Sequence, residues 1–394
     1  MAGRRRVRGA WAVCLLFVSL VACGGGPATD GARAEVQGLL DRRANAVLDR
    51  DQAAFRRTGA LDWFENTRGV PFAAWGYRLT GLRRDGDDAV ADVELSYRIQ
   101  GYDNAPVSVG RRLTLTRDAS GGWYVERERP AGKAAQQLWD QGAVAVVRGA
   151  SSLVLGVGQS SARLQVYADL ADRAVPAVSG EWGRDWSRHV VVLVPKSLEG
   201  MAGLLGSPAS SYRGIAAVTT GETGAPADAP ADRIIVNTDA YGVLGDVGKQ
   251  VVLTHETTHV ATRAVTSAAT PLWLSEGYAD WIGYLASGRT PVEAAPELAR
   301  AVTGGDVPEA LPVDADFGFS GDATQLARAY EGGWMACRMI AARWGEDRLG
   351  DFYRAVGPHR QRAGAVEDAL HDVLDTDLDT FTADWRDYLE AELG

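Results

Sequence analysis

The sequence predicts an α+β protein built as two successive units. A small helix-plus-sheet unit comes first, and a larger unit follows that passes from mixed strands to helices. Two observations carry this. Between residues 74 and 127, four stretches alternate apolar and polar side chains with a period of two, separated by turn residues. After about residue 240, apolar residues recur at helical spacing almost to the end of the chain. With 394 residues, 46% of them hydrophobic, the chain has enough apolar side chains for two cores.

The N-terminus reads as a targeting segment rather than as part of the fold. Arg4, Arg5, Arg6 and Arg8 form a positive n-region, and residues 11–21 form a short apolar stretch. That stretch is too short to span a bilayer comfortably. It ends in Leu20-Val21-Ala22-Cys23, followed by three glycines and Pro27. This resembles the lipobox of bacterial lipoproteins, which implies a signal peptide over residues 1–22, lipidation of Cys23, and a lipid-anchored chain outside the cytoplasmic membrane. Residues 23–33 then read as a Gly-rich tether. Of the three cysteines, Cys14 would leave with the signal and Cys23 would carry lipid. Cys337 would remain as a packed residue in an apolar helix over residues 334–340.

Residues 34–130 read as the first unit. Residues 34–57 have helical spacing, with Val36, Leu39, Leu40, Val47 and Leu48 on one broad stripe. Strands are expected at residues 74–83, 89–100, 109–116 and 123–127, with turns at 84–88 and 118–122. A helix followed by a long-stranded meander resembles the curved-sheet cone of nuclear-transport-factor-like and ketosteroid-isomerase-like domains. Such cones can bind small molecules, and a structural or substrate-presenting role is equally compatible with the pattern.

Residues 133–394 read as the second unit. Helices are expected at 134–147 and 161–177, and the apolar run at 189–195 reads as a buried strand. Further strands are expected at 215–220 and 233–237, flanking a Gly/Ala/Pro loop at 221–230. Asp246 is a candidate N-cap for a helix over 247–263.

That helix carries the chemistry. His255 and His259 lie four residues apart, so both imidazoles project from one face. Two neutral imidazoles at this spacing can hold one zinc ion, and Glu256 between them stands beside the metal, free to act as general base. A second helix opens at Pro271-Leu272-Trp273-Leu274-Ser275-Glu276-Gly277-Tyr278-Ala279-Asp280. Packed against the first, it can present Glu276 as a third ligand. Two His and one Glu leave a fourth tetrahedral position open for water, the arrangement of a catalytic rather than a structural site. Asp280, one turn on, can accept the other ring N–H of a ligand His; an ordinary exposed acid fits that position as well.

His-Glu-Thr-Thr-His followed by Trp-Leu-Ser-Glu-Gly-Tyr-Ala-Asp resembles the gluzincin superfamily of zinc peptidases, over about residues 190–345. The resemblance implies a gluzincin-like metallopeptidase domain with one Zn²⁺ per chain. His255, His259 and Glu276 would be its ligands and Glu256 its water-activating base. Ala329-Tyr330-Glu331-Gly332-Gly333 resembles the Tyr-x-Lys-Gly helix start of the aminopeptidase branch, with Gly332 in place of the Lys. By that resemblance Tyr330 is the oxyanion stabiliser. The branch's Gly-x-Met-Glu-Asn motif, which binds the substrate amine, is absent, so aminopeptidase activity does not carry over. The strand at 233–237 is expected, by the same analogy, to be an edge that pairs with an extended peptide.

The partners implied are a peptide or protein substrate and, through lipid, a membrane. A formal net charge of −10 and the lack of basic runs beyond the N-terminus argue against nucleic acid. Two other readings remain open: a surface-binding lipoprotein whose zinc site is structural or vestigial, and a zinc hydrolase of non-peptide amides or esters.

Overall fold

A computed structural model describes residues 27–221, 224, 229–318 and 322–394. The expected signal peptide and Cys23 lie outside the described residues. The tether does not hold over its second half. Helix α1 (Pro27–Leu48) begins at Pro27, where a proline suits the first turn and Ala28, Ala32 and Ala34 favour helix. The same helix stops nine residues before the expected end. Arg50 takes a left-handed conformation (φ 55°), and Asp51 caps a separate short helix, α2 (Gln52–Arg56), by accepting from the Ala54 N–H.

A four-stranded antiparallel meander follows: β1 (Phe72–Asp85), β2 (Asp88–Ile99), β3 (Val107–Arg117) and β4 (Trp123–Pro130), in that spatial order. The alternation of β2 is strict, with Ala89, Ala91, Val93, Leu95, Tyr97 and Ile99 buried. Val36, Leu39, Leu40 and Val47 of α1 join the same core. Buried side chains of α1 and the strands line the interior. Glu128 there meets Arg43 and Arg111, each at 3.3 Å, and accepts from the Tyr77 hydroxyl at 3.0 Å.

The second sheet contains β5 (Val144–Arg148), β6 (Ser152–Val157), β7 (Val190–Val194), β8 (Ala217–Thr219) and β9 (Arg233–Val236), in the order β5-β6-β7-β9-β8. Strands β6, β7 and β9 run parallel, and β5 and β8 are antiparallel borders. Two expectations fail here. Residues 134–147 hold a 3-10 turn (Leu138–Asp140) and then β5 rather than a helix, because Val144, Val146 and Val147 are β-branched and pair with β6. And β9 is not an edge: β7 and β8 flank it, so β8 is the border strand.

Both faces of this sheet are covered, which accounts for its continuous apolar runs. Leu153, Leu155 and Val191 turn to the core of the first unit, while Val154, Val190 and Val192 turn to helix α3 (Ser161–Trp182). Arg233 of β9 reaches across to the first unit, where Asp103 accepts from its guanidinium at 2.8 Å. Helix α4 (Leu198–Leu205) and the short α5 (Thr238–Gly242) complete this half.

The remainder is helical, as expected. It comprises α6 (Asp246–Thr262), α7 (Leu272–Leu285), α8 (Pro291–Ala294), α9 (Pro296–Thr303), α10 (Ala323–Trp344), α11 (Glu346–Val356), α12 (Ala365–Leu374) and α13 (Leu378–Leu393). Asp246 lies inside the first turn of α6 rather than capping it; Gly245 is the N-cap residue. Tyr330 lies two turns inside α10, not at its start. Cys337 is fully buried in that helix. Among the described residues, no helix is long and apolar enough to cross a membrane.

Candidate metal centre

Helix α6 forms with three threonines in its interior, residues that ordinarily compete with helix by bonding the backbone locally. Here each hydroxyl donates to a carbonyl one turn back: Thr254 to Gln250, Thr257 to Leu253 and Thr258 to Thr254, at 2.7–2.9 Å. Thr257 and Thr258, the middle of the His-x-x-x-His spacing, are therefore buried without orphaned polar atoms.

Helix α7, which carries Glu276, packs closely against both α10 and α6. A Cβ on Gly277 would lie 2.3 Å from the Gly333 carbonyl oxygen of α10, and one on Gly333 would lie 2.6 Å from the Trp273 oxygen. The two glycines let α7 and α10 approach more closely than side chains permit. Gly283 plays a milder version of that role against α6, where a Cβ would lie 3.2 Å from the Val251 side chain. The connector between α6 and α7 is tied down by Arg362, which donates to the carbonyls of Ala268 and Thr270 and pairs with Asp314. Asp314 in turn accepts from the Leu272 N–H, the first residue of α7.

Three ligand atoms converge as a result. His255 Nε2 and His259 Nε2 are 3.0 Å apart, and Glu276 Oε2 lies 3.2 Å from the first and 3.4 Å from the second. The edges of a zinc tetrahedron with bonds of about 2.0–2.1 Å are about 3.3 Å long. The donor set, two imidazoles and a carboxylate, and its spacing therefore both fit zinc. His255 Nδ1 donates to Asp280 Oδ1 at 2.8 Å, which fixes the tautomer that leaves Nε2 free to ligate. Asp280 thus takes the supporting place, not that of a solvated acid.

The electrostatics suit a cation. Burial pulls the His255 imidazole down, but Asp280 and Glu276 outweigh it and hold the ring well above its usual value. Burial pushes the Glu276 carboxyl up, but His259 and His255 outweigh that and hold it well below the usual carboxylate range. Ligation needs both imidazoles neutral, so a metal ion would be held more tightly as pH rises.

Glu256 is 6% exposed, and its Oε2 accepts a hydrogen bond from the Thr219 hydroxyl of β8 at 2.6 Å. Tyr330 reaches the same place from α10. Burial first, then the charges of Glu276, Asp280 and Glu256, push its phenol well above its ordinary value, so at neutral pH it is a protonated hydrogen-bond donor. Two cavities meet at these residues. One of about 630 Å³ runs along residues 210–217 toward Tyr284 and Glu331. The other, of about 580 Å³, runs past Thr219 toward Ser267 and Arg362. His255, Glu256 and Tyr330 border both.

The structure brings together every expected site residue among those described: His255, Glu256, His259, Glu276, Asp280 and Tyr330. Sequence reasoning missed Thr219 and the Arg362–Asp314 clamp. Neither carries a signal, since a threonine in a short strand and an exposed Arg and Asp pair are common everywhere.

No family model matches this chain, and no curated protein sequence matches it. Among solved structures, the chain is similar to a substituted M1 zinc metallopeptidase from Deinococcus radiodurans bound to a Tyr-Ser-Ala substrate. The two share 11% identity with a TM-score of 0.38, over 83% of this chain and 95% of that one. It is similar in the same degree, 11% identity and TM-score 0.38, to a two-domain M1 zinc metallopeptidase bound to L-arginine, over 85% of this chain and 98% of that one.

Proposed function

We propose that this chain is a zinc-dependent peptidase, anchored by lipid at the outer face of the cytoplasmic membrane. The observation that carries the catalytic reading is the meeting of three elements at one point: a convergent His255–His259–Glu276 trio, the buried Glu256 carboxylate, and a groove continuing to both sides. Zinc held by the trio supplies a Lewis acid and a water of lowered pKa. Asp280 keeps His255 in its ligating tautomer. Glu256 takes a proton from the attacking water and delivers it to the leaving nitrogen. Tyr330 donates its phenol hydrogen to the oxygen on which negative charge develops. Among the described residues no strand pairs with the outer side of border strand β8, which leaves it open to an extended chain, and a chain filling both cavities is cut internally rather than at its end.

The test is cleavage of a broad peptide library by zinc-loaded protein, with product mapping. Parental protein cuts internal bonds, a chelator stops it, and Glu256→Gln lowers turnover by about 10²–10⁴-fold while zinc still binds at one equivalent. Equal turnover by parent and variant would remove Glu256 from the role of base. No cleavage by loaded parent would favour the binding-protein reading, and hydrolysis of esters alone would favour a non-peptide substrate.

The anchoring proposal rests on the Leu20-Val21-Ala22-Cys23 run and the arginines before it. Cys23→Ser should abolish metabolic labelling by fatty acid and release the protein from the membrane fraction. Retention of label in that variant would rule out Cys23 as the acceptor.

A further inference from the structure

The general base has an anchor outside its own helix. Thr219 ends β8, and its hydroxyl has two acceptors within reach: Glu256 Oε2 at 2.6 Å and the Glu256 main-chain oxygen at 3.1 Å. A hydroxyl has one proton to give, and the shorter contact to a charged oxygen is the stronger bond. Among the described residues, no other group donates to that carboxylate. A glutamate side chain on a helix otherwise moves among several staggered rotamers. A hydrogen bond at Oε2 restricts that freedom and leaves acceptor sites on the carboxylate open.

The register of β8 gives the contact a second consequence. The Asn237 N–H donates to the Ala216 oxygen and the Thr220 N–H to the Arg233 oxygen, with Val218 opposite Ile235 between them. In an antiparallel ladder, bonded and open positions alternate. The backbone groups of Ala217 and Thr219 therefore lie on the open border of the sheet, away from β9. Thr219 thus has its backbone on the border where an extended substrate would lie and its side chain on the base.

We propose that Thr219 is a positioning residue that locks the Glu256 carboxylate in its working orientation and ties it to the border strand of the groove. This rests on the reading of the centre as a hydrolase. Zinc-loaded parent, Thr219→Val and Thr219→Ser are compared for kcat, KM, zinc content and Tm, and the crystal structures of parent and Thr219→Val are solved. Thr219→Val keeps shape but loses the donor. It should lower kcat by about 10–100-fold with KM within about twofold, full zinc content and a Tm near the parent's. Thr219→Ser restores the donor and should recover most of the lost kcat. In the crystals, the carboxylate should sit on the hydroxyl in the parent and swing away in Thr219→Val. Parental kcat in Thr219→Val, or a parent crystal with the carboxylate off the hydroxyl, would overturn the proposal. If the parent cleaves nothing, the hydrolase reading fails, while the crystal comparison still decides whether Thr219 anchors Glu256.

Discussion

At the scale of single residues, the centre works by holding groups whose charges are matched. Glu276 and Asp280 flank His255 at its two ring nitrogens, so in the proposed centre one acid would share the metal while the other holds the Nδ1 proton. Asp280→Asn keeps the size but weakens the pull on the Nδ1 proton. It should reduce zinc affinity or turnover by about 10–100-fold, measured by competition with a chelator of known strength and by peptide cleavage. An Asp280→Asn protein with parental zinc affinity and turnover would show that the 2.8 Å bond does nothing for the ligand.

At the scale of elements, two features fix how α10 sits against its neighbours. The first is the glycine contact between α7 and α10. Gly277→Ala forces a methyl group against the Gly333 backbone and, because Glu276 is adjacent, shifts the third ligand. The expected cost is about 1–3 kcal/mol of stability, together with weaker zinc binding; a Tm equal to the parent's would refute the crowding argument. The second is Glu331 of α10, whose carboxylate accepts from the Leu298 N–H at 2.6 Å and the Glu297 N–H at 3.3 Å, at the start of α9. Burial pushes its carboxyl up to about 7, against the opposing pull of those two N–H groups. Its folded value lies above the ordinary 4.5. The folded state therefore binds more protons than the unfolded state between those values, and this group's contribution to stability falls as pH rises from about 4.5 to about 7. Glu331→Gln keeps an acceptor and removes the titration. The Tm difference between variant and parent should grow in the variant's favour from pH 5 to pH 8; a constant difference would contradict the assignment.

At the scale of the whole molecule, the first unit is joined to the second sheet rather than carried beside it. Leu138, Trp139, Leu155 and Val191 belong to the same core as β1–β4. Asp103 accepts from Arg233, from the Ile99 N–H at 2.7 Å and from the Ala231 N–H at 3.1 Å. Its side chain is fully buried, so Asp103→Ala leaves the Arg233 guanidinium without its acid and should cost about 3–5 kcal/mol. Because Arg233 opens β9, which pairs with the border strand β8, the loss should reach the active centre. Thermal unfolding of the parent is expected as one transition. Two separate transitions, with Asp103→Ala moving only the lower one, would show instead that the units melt independently.

The sequence by itself pointed to the convergence of His255, His259 and Glu276 and to Asp280 beside them, because their spacing is local. Four residues on a helix put His255 and His259 on one face, and four more, on the next helix, put Asp280 one turn from Glu276. It also determined the α1–meander pattern, through period-two alternation with one buried face. It misread residues 134–147, whose apolar content suits either state until β6 supplies a partner. Only the tertiary structure decided that β9 is interior and β8 is the border, since a short apolar strand looks the same in either place. It alone decided that Thr219 meets Glu256 across 37 positions, and that Gly277 and Gly333 let α7 and α10 pack backbone to backbone. Those contacts depend on how both faces of a sheet and three helices pack at once, and no window of neighbouring residues contains that information.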